Sequence, residues 1–539
     1  MNTFPEKLYI FSCKFIQLCS IFLSFFLFAG AFLCTCYSED MGTQLVLTKW
    51  DNPLISLFGM AVFLLILGGT ARFLFKYTGS PVKILRILAL FWCVFLGVIL
   101  ILFGRTAPAA DAMSVYSIAE SLAAGDTSVI HPTNSYLSYY PQQVGLTAFF
   151  ELIIRIWKLL PFSLSAYHFI KCFYVGLLCV IICLQERIVH LLWENERTDC
   201  TYLMLISANL PFIMYSSFVY GEIPCFAAAS AGLYFLLKLL AACRDSESSE
   251  KKKIFLYAVF TAAGLSLSIM LRKNNLILLI AALIVIFLEW LRSRQHKLLV
   301  LGLLCAVCGL GILPLVQKGY ELRSGNELSS GVTATSYLAM GMQESSRANG
   351  WYNGFNFDTY QNAGLDSDAA NEISREAISE RLQTFREHPG YAAEFYLFKH
   401  LSQWADGTYA SRQATLATGG DRHSFFVSLY EGNFSRYYVG YCNIYQNILY
   451  LGVLICFCTL VKKEYNKRGS VPVLALYLGF IAVLGGFLFH IFWEANSRYI
   501  FLYSLLLLPY TACGICALIQ YIHKVILTYS ASSSSISPQ

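Results

Sequence analysis

Charged residues are scarce in this chain, because Asp, Glu, Lys and Arg together make up only 13% of its 539 residues. A soluble protein carries about 25% charged residues. Hydrophobic residues make up 57% of the chain, so most of its surface is expected to face lipid. The modest net charge of +6 comes largely from short basic loops between apolar runs, which indicates membrane topology and argues against nucleic acid as a partner.

Cysteines at positions typical of a disulfide scaffold are also lacking. Most of the 18 cysteines lie within apolar runs, where cysteine is a small apolar filler. The first apolar stretch, Phe11 to Leu33, lacks the small-residue cleavage site of a secretory signal. It has the length of a membrane helix, for which about 20 residues suffice.

Thirteen apolar runs are candidates to cross a bilayer. Because only helices satisfy their own backbone groups across so many separate runs, the sequence predicts an all-α polytopic membrane protein with about 12–13 transmembrane helices. The predicted spans are Tyr9–Leu33, Leu54–Phe75, Ile84–Phe103, Val144–Leu160, Ser163–Leu184, Tyr202–Phe218, Ile223–Leu240, Ile254–Leu271, Leu276–Leu291, Leu298–Val316, Ile444–Val461, Val471–His490 and Tyr499–Tyr521.

Polar stretches divide the chain into five predicted parts. The longest of them is large enough for a small extracytoplasmic domain, and the Ser-rich C-terminus is predicted to be disordered. The predicted boundaries are N-terminal transmembrane helices at 1–83, a transmembrane core at 84–316 with an outer loop at 105–143, an extracytoplasmic loop domain at 317–440, C-terminal transmembrane helices at 441–528 and a tail at 529–539.

Clusters of Lys and Arg predict the orientation, because basic loops are retained in the cytoplasm. They flank the turns at 72–86, 244–253, 292–297 and 462–468. If all four turns are cytoplasmic, the remaining connections face outside. Three apolar segments separate Asp111 from Glu222, and two outside points need an even number. One segment is therefore not expected to cross, and Val144–Leu160 is the shortest.

Asp111 is the central candidate residue, since an acid at the boundary between water and lipid is costly unless something uses it. It opens a segment in which Val115, Ala119 and Leu122 recur at helical spacing, as in a helix lying in the interface plane. Gly125 can end that helix in the left-handed conformation. The alternative is that Asp111 only caps the helix N-terminus, and the two roles are compatible.

Two further outer turns carry polar side chains that are candidates to lie beside Asp111. Tyr140 and Gln142 flank Pro141 at the start of an apolar run. They either line a cavity or simply begin a helix at the interface. Glu222, in the sequence Tyr-Gly-Glu-Ile-Pro, either orients an acceptor or holds a cation, or else is a solvated acid in a turn.

Basic residues occur at two outer connections, against the usual cytoplasmic bias. Arg272 and Lys273 lie at the depth of a lipid phosphate and are either its donors or snorkelling side chains. Glu494 and Arg498 are four residues apart, which predicts a pair on one helix face, followed by Tyr499. That pair either sets a phosphate or sugar hydroxyl or is a self-contained ion pair.

Two stretches of the outer domain combine aromatic rings with amides, at Ser336 to Gln343 and Gly350 to Asn356. Aromatic faces suit sugar rings, and amides suit sugar hydroxyls. The alternative is local packing of the loop onto the membrane.

Together these motifs resemble the GT-C superfamily of integral membrane glycosyltransferases, most closely the bacterial branch related to protein O-mannosyltransferases and the lipid A aminoarabinose transferase. The likeness is strongest over residues 105–273 and looser in the C-terminal spans. Many members carry paired acids where this chain has Asp111-Ala112, so the metal is left unassigned. The matching segments are Asp111 in the first outer loop, Tyr140-Pro141, Tyr220-Gly-Glu222-Ile-Pro224, Arg272 or Lys273 after a later helix, and Glu494 to Tyr499.

The resemblance implies a GT-C-like fold and an inverting sugar transfer from a polyprenyl-phosphate donor to an extracytoplasmic acceptor, which is a cell-surface glycan, a lipid or a protein. Asp111 is then the general base, and Arg272 and Lys273 stabilise the phosphate leaving group. No cofactor is assigned, and a divalent cation stays open. The expected location is the cell membrane, among membrane lipids, with the active site outside. The other candidate substrate-binding residues are Tyr140, Gln142, Glu222, Glu494, Arg498 and Tyr499.

A polytopic transporter or flippase of lipid-linked glycans is the alternative function. Such a protein is expected to carry ionisable residues deep within its spans, whereas the charges here gather at one face. Glu151, Arg155 and Lys171 are exceptions that keep this alternative open. A glycan polymerase or ligase would share the transfer chemistry and differ only in its acceptor.

Overall fold

The structure, a computed structural model, describes residues 4–38, 43–133, 135–161, 163–244, 251–415, 424–462 and 470–534. Within these ranges the regular structure is helical apart from one antiparallel two-stranded ribbon. Eleven of the described helices are long and apolar enough to cross a membrane. The chain is thus an all-α, multi-pass membrane protein.

The elements follow one another without internal repetition of the ribbon. Four 3-10 turns lie at Pro141–Gln143, Tyr215–Ser217, Lys273–Asn275 and Val473–Tyr477. The helices and strands are α1 (Phe4–Leu33), β1 (Cys34–Ser38), β2 (Val46–Trp50), α2 (Pro53–Tyr77), α3 (Pro81–Gly104), α4 (Ala110–Ala124), α5 (Tyr136–Tyr139), α6 (Val144–Lys158), α7 (Ala166–Trp193), α8 (Glu196–Ala208), α9 (Leu210–Met214), α10 (Glu222–Arg244), α11 (Lys251–Leu271), α12 (Leu276–Ser293), α13 (His296–Ser324), α14 (Ala334–Gly341), α15 (Phe355–Asn362), α16 (Ser367–Glu387), α17 (Pro389–Trp404), α18 (Ser411–Ala414), α19 (Ser424–Tyr430), α20 (Asn433–Lys462), α21 (Leu478–Phe492) and α22 (Ser497–Ser534).

The long helices run between two ends of one bundle. We call the end that carries the polar segment between α13 and α20 the loop face, and the other end the opposite face. At the opposite face Tyr9 donates a hydrogen bond to Glu289 (2.6 Å) and accepts one from the backbone of Leu474 (3.2 Å). There too Arg86 pairs with Glu186. These contacts bring the start of α1, the end of α12 and the start of α21 together, and join α3 to α7.

The predicted span Val144–Leu160 is wrong, because this segment forms the 15-residue helix α6, which stays at the loop face. Glu151 of α6 accepts hydrogen bonds from Tyr320 and Arg323 at the end of α13. Arg155 and Arg323 both donate to the carbonyl of Leu122 in α4. Its apolar residues therefore pack against α4 and α13 instead of crossing the bilayer.

The predicted span Tyr202–Phe218 is also wrong as a single helix. Asn209 ends α8, and its side chain accepts a hydrogen bond from the backbone of Phe212 to begin α9. The broken segment nevertheless returns the chain across the bundle. Asp199 near its start contacts His190 at the end of α7 (2.8 Å), and Tyr174, in the first half of α7, donates to the carbonyl of Tyr220 beyond its end. The two crossings resolve the parity between Asp111 and Glu222.

The polar segments differ from the predicted boundaries at several ends. The expected helix at Ser367–Phe385 is confirmed as α16. However, α13 continues to Ser324 and α20 already begins at Asn433, so both membrane helices extend into the predicted 317–440 domain. The predicted tail from 529 is helical as far as Ser534, and residues 535–539 lie outside the described residues.

Candidate active site

A buried carboxylate with two guanidinium groups lies at the loop face, where α10, α11 and α22 meet. Glu222, the first residue of α10, is 1% exposed. Its Oε1 pairs with Nη1 of Arg272 and lies 3.8 Å from Nε of Arg498. Its Oε2 accepts no hydrogen bond from any residue that the structure describes. The interpretation of Glu222 as a solvated acid is therefore wrong.

The turn before Glu222 is shaped by a close approach to Arg272. A Cβ atom at Gly221 would lie 2.9 Å from Cγ of Arg272 and 3.0 Å from the carbonyl oxygen of Leu271. Only glycine leaves room for the turn and the start of α10 to meet the end of α11 at this distance. The glycine of the Tyr-Gly-Glu sequence is thus what allows the ion pair to form.

Aromatic rings hold the two guanidinium groups in place. Cζ of Arg498 lies 5.5 Å from the ring centroids of both Tyr220 and Tyr499, and Cζ of Arg272 lies 5.9 Å from that of Tyr499. These separations allow cation–π attraction. Tyr220 in turn accepts a 2.6 Å hydrogen bond from Nε2 of Gln143. The cluster contains two cations and one anion, so it keeps a cationic excess.

Asp111 is exposed and lies in the first turn of α4, whose N-cap is Ala109. The expectation that Asp111 caps this helix is therefore wrong, while Gly125 ends it with φ 97° as predicted. Burial raises the pKa of Tyr140, and the charges of Asp111 and Glu494 add to that rise. Asp111 therefore faces the space that Tyr140 and Glu494 share.

Glu494 lies in the turn between α21 and α22, since α22 begins only at Ser497. It accepts a hydrogen bond from the hydroxyl of Tyr499 (3.2 Å). The predicted pair of Glu494 with Arg498 on one helix face is wrong, because Glu494 precedes the helix and Arg498 turns toward Glu222. Burial raises the pKa of Glu494 to about 7, with the positive charge of Arg498 acting in the opposite sense. This carboxyl group can therefore exchange a proton near neutral pH.

Lys399 of α17 supports the same turn and was not singled out by the sequence. It is completely buried and donates hydrogen bonds to the carbonyls of Gly341 and Ile491, the latter at 2.9 Å. Burial lowers the pKa of Lys399 to about 7. Its sequence context is an ordinary amphipathic helix, so only the tertiary contacts reveal its position.

The two aromatic stretches of the outer segment reach the site from the other side. Tyr337 stacks on Trp493, with centroids 5.1 Å apart and planes 11° apart. The backbone of Ala495 donates a 2.8 Å hydrogen bond to the carbonyl of Gly350. Segments more than a hundred residues apart therefore close one wall around Glu494.

The remaining predicted residues lie at the rim. Tyr140 is half-buried, with its ring centroid 5.0 Å from that of Tyr136. Gln142 is half-exposed in the 3-10 turn, and it is its neighbour Gln143 that bonds to Tyr220. Lys273 is exposed and makes no hydrogen bond or ion pair with the described part of the chain. Adjacent residues of the same type thus have different surroundings, which spacing alone does not reveal.

Metal-binding potential was examined through side-chain clustering. Within the described ranges no group of three or more His, Cys, Asp or Glu side chains could hold a metal ion. All 18 cysteines are free, as the sequence predicted. Asp111 and Glu494 share one space without a third such ligand, so the divalent cation stays a prediction.

Comparisons with known proteins do not assign a family. No protein-family model matches this chain, and a search of curated proteins gives no significant match. The resemblance to the GT-C superfamily therefore rests on the motifs themselves and stays a prediction.

Proposed function

We propose that this chain is a membrane glycosyltransferase of the GT-C type, which moves a sugar from a polyprenyl-phosphate donor to an extracytoplasmic acceptor. The observation that carries the proposal is the convergence of Arg272, Arg498 and Glu222 with Asp111 and Glu494 around one space at the loop face. Buried cations suit a lipid-linked phosphate, and an exposed carboxylate suits an incoming hydroxyl group. Both are needed for transfer from a sugar phosphate.

The two arginines would bind the donor phosphate. Nε of Arg498 is buried and donates no hydrogen bond to any described residue, so a phosphate oxygen gains a charge-assisted bond there. Arg272 is held by Glu222, which fixes its direction. Together the guanidinium groups stabilise the negative charge that develops on the leaving phosphate. Lys273, exposed at the rim, would attract the anionic donor.

Asp111 would act as general base. It accepts the proton of the acceptor hydroxyl, whose oxygen attacks the anomeric carbon from the side opposite the phosphate. The new glycosidic bond forms as the bond from the anomeric carbon to the phosphate oxygen breaks, and polyprenyl phosphate leaves. The anomeric configuration is inverted. Proximity of the two substrates in one cavity supplies much of the rate.

The side chains around Asp111 would hold the sugar. Tyr140, Glu494 and Tyr499 offer hydroxyl and carboxyl groups, and Gln142 lies at the entrance. The Tyr337–Trp493 stack presents aromatic surface for a sugar ring. The acceptor is a glycan, a lipid or a protein, since all three present hydroxyl groups to the same base.

The membrane orientation follows from the basic residues at the opposite face. The described ends of the helices there carry Lys76, Lys83, Lys251 and Arg292. By the positive-inside rule this face is cytoplasmic, so the loop face with the site lies outside, in a cell membrane.

The transporter alternative loses the residues that favoured it. Glu151 and Arg155 belong to α6, which does not cross the bundle, and they pair with each other and with Arg323. Lys171 is buried in α7, and its Nζ donates a 2.6 Å hydrogen bond to the carbonyl of Thr106. Each of these charged groups has a local structural partner, as a residue that stabilises helix packing would.

The test is Asp111→Asn, expressed in cells that lack the native gene. Because Asp111 is exposed, the variant should fold normally, while transfer should fall at least a hundredfold, the usual size of a general-base contribution. The donor should then accumulate as one polyprenyl-phosphate sugar, measured by mass spectrometry of extracted lipids. Cells that carry the wild-type chain should show no such accumulation.

The matched control is Asp126→Asn, an exposed acid just beyond the end of α4. It should leave the lipid profile unchanged. If neither the gene deletion nor Asp111→Asn changes the pool of polyprenyl-phosphate sugars, the proposed function is wrong.

A further inference from the structure

A second cavity opens at the opposite face, at the other end of the bundle from Asp111. Its volume is about 560 Å³, and it lies among the start of α3, the end of α7, the start of α8 and the end of α10. Small-molecule sites usually measure about 300–1,000 Å³. The cavity is therefore large enough for a phosphorylated headgroup with its polyol.

Cationic side chains line this cavity beyond what its acids neutralise. Arg86 makes two parallel 2.9 Å hydrogen bonds to Glu186, so that pair is closed. Lys83, Arg187 and Lys238 also line the cavity, and they make no hydrogen bond or ion pair with residues that the structure describes. Glu196 at the rim is the acid that stands against these three cations.

Backbone donors add to the positive charge. Helix α3 begins at the cavity wall, and Ser80 at its N-cap makes no side-chain hydrogen bond to the first turn. The first N–H groups of a helix have no acceptor within it, and this end of the helix favours an anion. The amides of Val82 and Lys83 are thus donors available to a phosphate.

A buried acceptor lies in the same wall. Asp199 is 2% exposed, and its Oδ2 is 2.8 Å from Nδ1 of His190. Its Oδ1 is buried and has no hydrogen-bond partner among the described residues. A buried carboxylate oxygen without a donor is costly. A ligand hydroxyl group would supply that donor.

We propose that this cavity binds a phosphate ester that carries hydroxyl groups. Lys83, Arg187, Lys238 and the start of α3 receive the phosphate, and Asp199 accepts a hydrogen bond from the polyol. This chemistry is shared by the headgroup of an anionic phospholipid and by a soluble polyol phosphate. The proposal goes beyond the glycosyltransferase function and does not depend on it.

The experiment compares the two sources of phosphate on the purified full-length chain. The soluble probe is glycerol 3-phosphate, titrated calorimetrically into the protein in nanodiscs of phosphatidylcholine. The lipid probe is phosphatidylglycerol, added to the same nanodiscs and detected by native mass spectrometry. Saturable binding of either probe is expected, and which probe binds identifies the source.

The variants are Lys83→Gln and Arg187→Gln, both at exposed positions, so neither should change the unfolding temperature. Each removes one charge-assisted contact to phosphate, and each should raise the dissociation constant about tenfold. The matched control is Arg72→Gln on α2, an exposed cation toward the same end that does not line the cavity.

Weaker binding in Lys83→Gln and Arg187→Gln with unchanged binding in Arg72→Gln supports the site. The proposal is overturned if neither probe binds saturably. It is equally overturned if Arg72→Gln weakens binding as much as the cavity variants do, because the effect would then be general surface charge.

Discussion

At the scale of single residues, Glu222 organises the loop face because its carboxylate is buried between two guanidinium groups. Burying a charge is expensive unless a partner accompanies it. Arg272 is that partner through a direct ion pair, and Arg498 stands 3.8 Å away. The position of both arginines, and hence of the proposed phosphate site, depends on this one carboxylate.

Arg272→Met should therefore destabilise the protein strongly. It leaves Glu222 buried with only the more distant Arg498, and breaking a buried pair by removing one partner costs about 3–5 kcal/mol. The unfolding temperature in nanodiscs measures this. Lys273→Met is the matched control at the next position, and because Lys273 is exposed its effect should stay within about 0.5 kcal/mol.

Removing the carboxylate as well separates electrostatics from packing. The double variant Glu222→Met with Arg272→Met should recover part of the stability, since it no longer buries an unpaired charge. Equal unfolding temperatures for Arg272→Met and Lys273→Met would contradict the role assigned to the ion pair.

The residue types of the site were predictable from the sequence, but their partners were not. Arg272 and Lys273 are adjacent cations, and spacing alone does not tell which one is buried. Likewise Gln142 was the predicted residue, whereas Gln143 makes the contact with Tyr220. A shift of one residue turns a side chain by about 100° around a helix, so neighbours face different surroundings. Lys399 carried no sequence signal, because its two acceptors are carbonyls of distant segments.

At the scale of elements, close helix packing positions the start of α22, which carries Arg498 and Tyr499. Helices α20 and α22 approach each other at Gly452 and Gly514. A Cβ atom at Gly514 would overlap the carbonyl oxygen of Gly452, and one at Gly452 would lie 2.8 Å from Cγ2 of Thr511. Small residues of this kind let membrane helices pack backbone to backbone.

Gly514→Ala should separate α20 from α22 and destabilise the protein by about 1–3 kcal/mol, the usual cost of overpacking. Gly176→Ala in α7 is the matched control, because nothing lies within 4 Å of a Cβ atom there. It should be neutral or slightly stabilising, since alanine favours a helix over glycine. Thermal unfolding of both variants in nanodiscs is the measurement, and a Gly514→Ala protein as stable as Gly176→Ala would contradict this packing.

At the scale of the whole molecule, the separation into two faces determines which chemistry meets which compartment. The loop face carries the candidate active site, and the opposite face carries the basic helix ends and the second cavity. If the positive-inside rule holds, the two sites act on opposite sides of one membrane.

Cysteine labelling in intact cells tests this orientation. Glu376→Cys, exposed on α16 of the loop face, should react with a membrane-impermeant maleimide above the background of the wild-type chain. Lys251→Cys, exposed at the start of α11 on the opposite face, should react only after the cells are permeabilised. The reverse pattern would place the site in the cytoplasm.

The sequence by itself determined that this is a multi-pass, all-α membrane protein, because long apolar runs leave a backbone no alternative to helix in a bilayer. It also determined where eleven of the spans lie, since each predicted range overlaps a membrane-long helix.

Only the tertiary structure decided which apolar runs cross and which charges meet. Hydropathy measures length and composition, so it does not distinguish α6, whose apolar residues face α4 and α13, from a helix that faces lipid. The partners of Glu222, Glu494 and Lys399 come from segments far apart in the chain. Their burial and pairing therefore follow from helix packing, which local sequence does not encode.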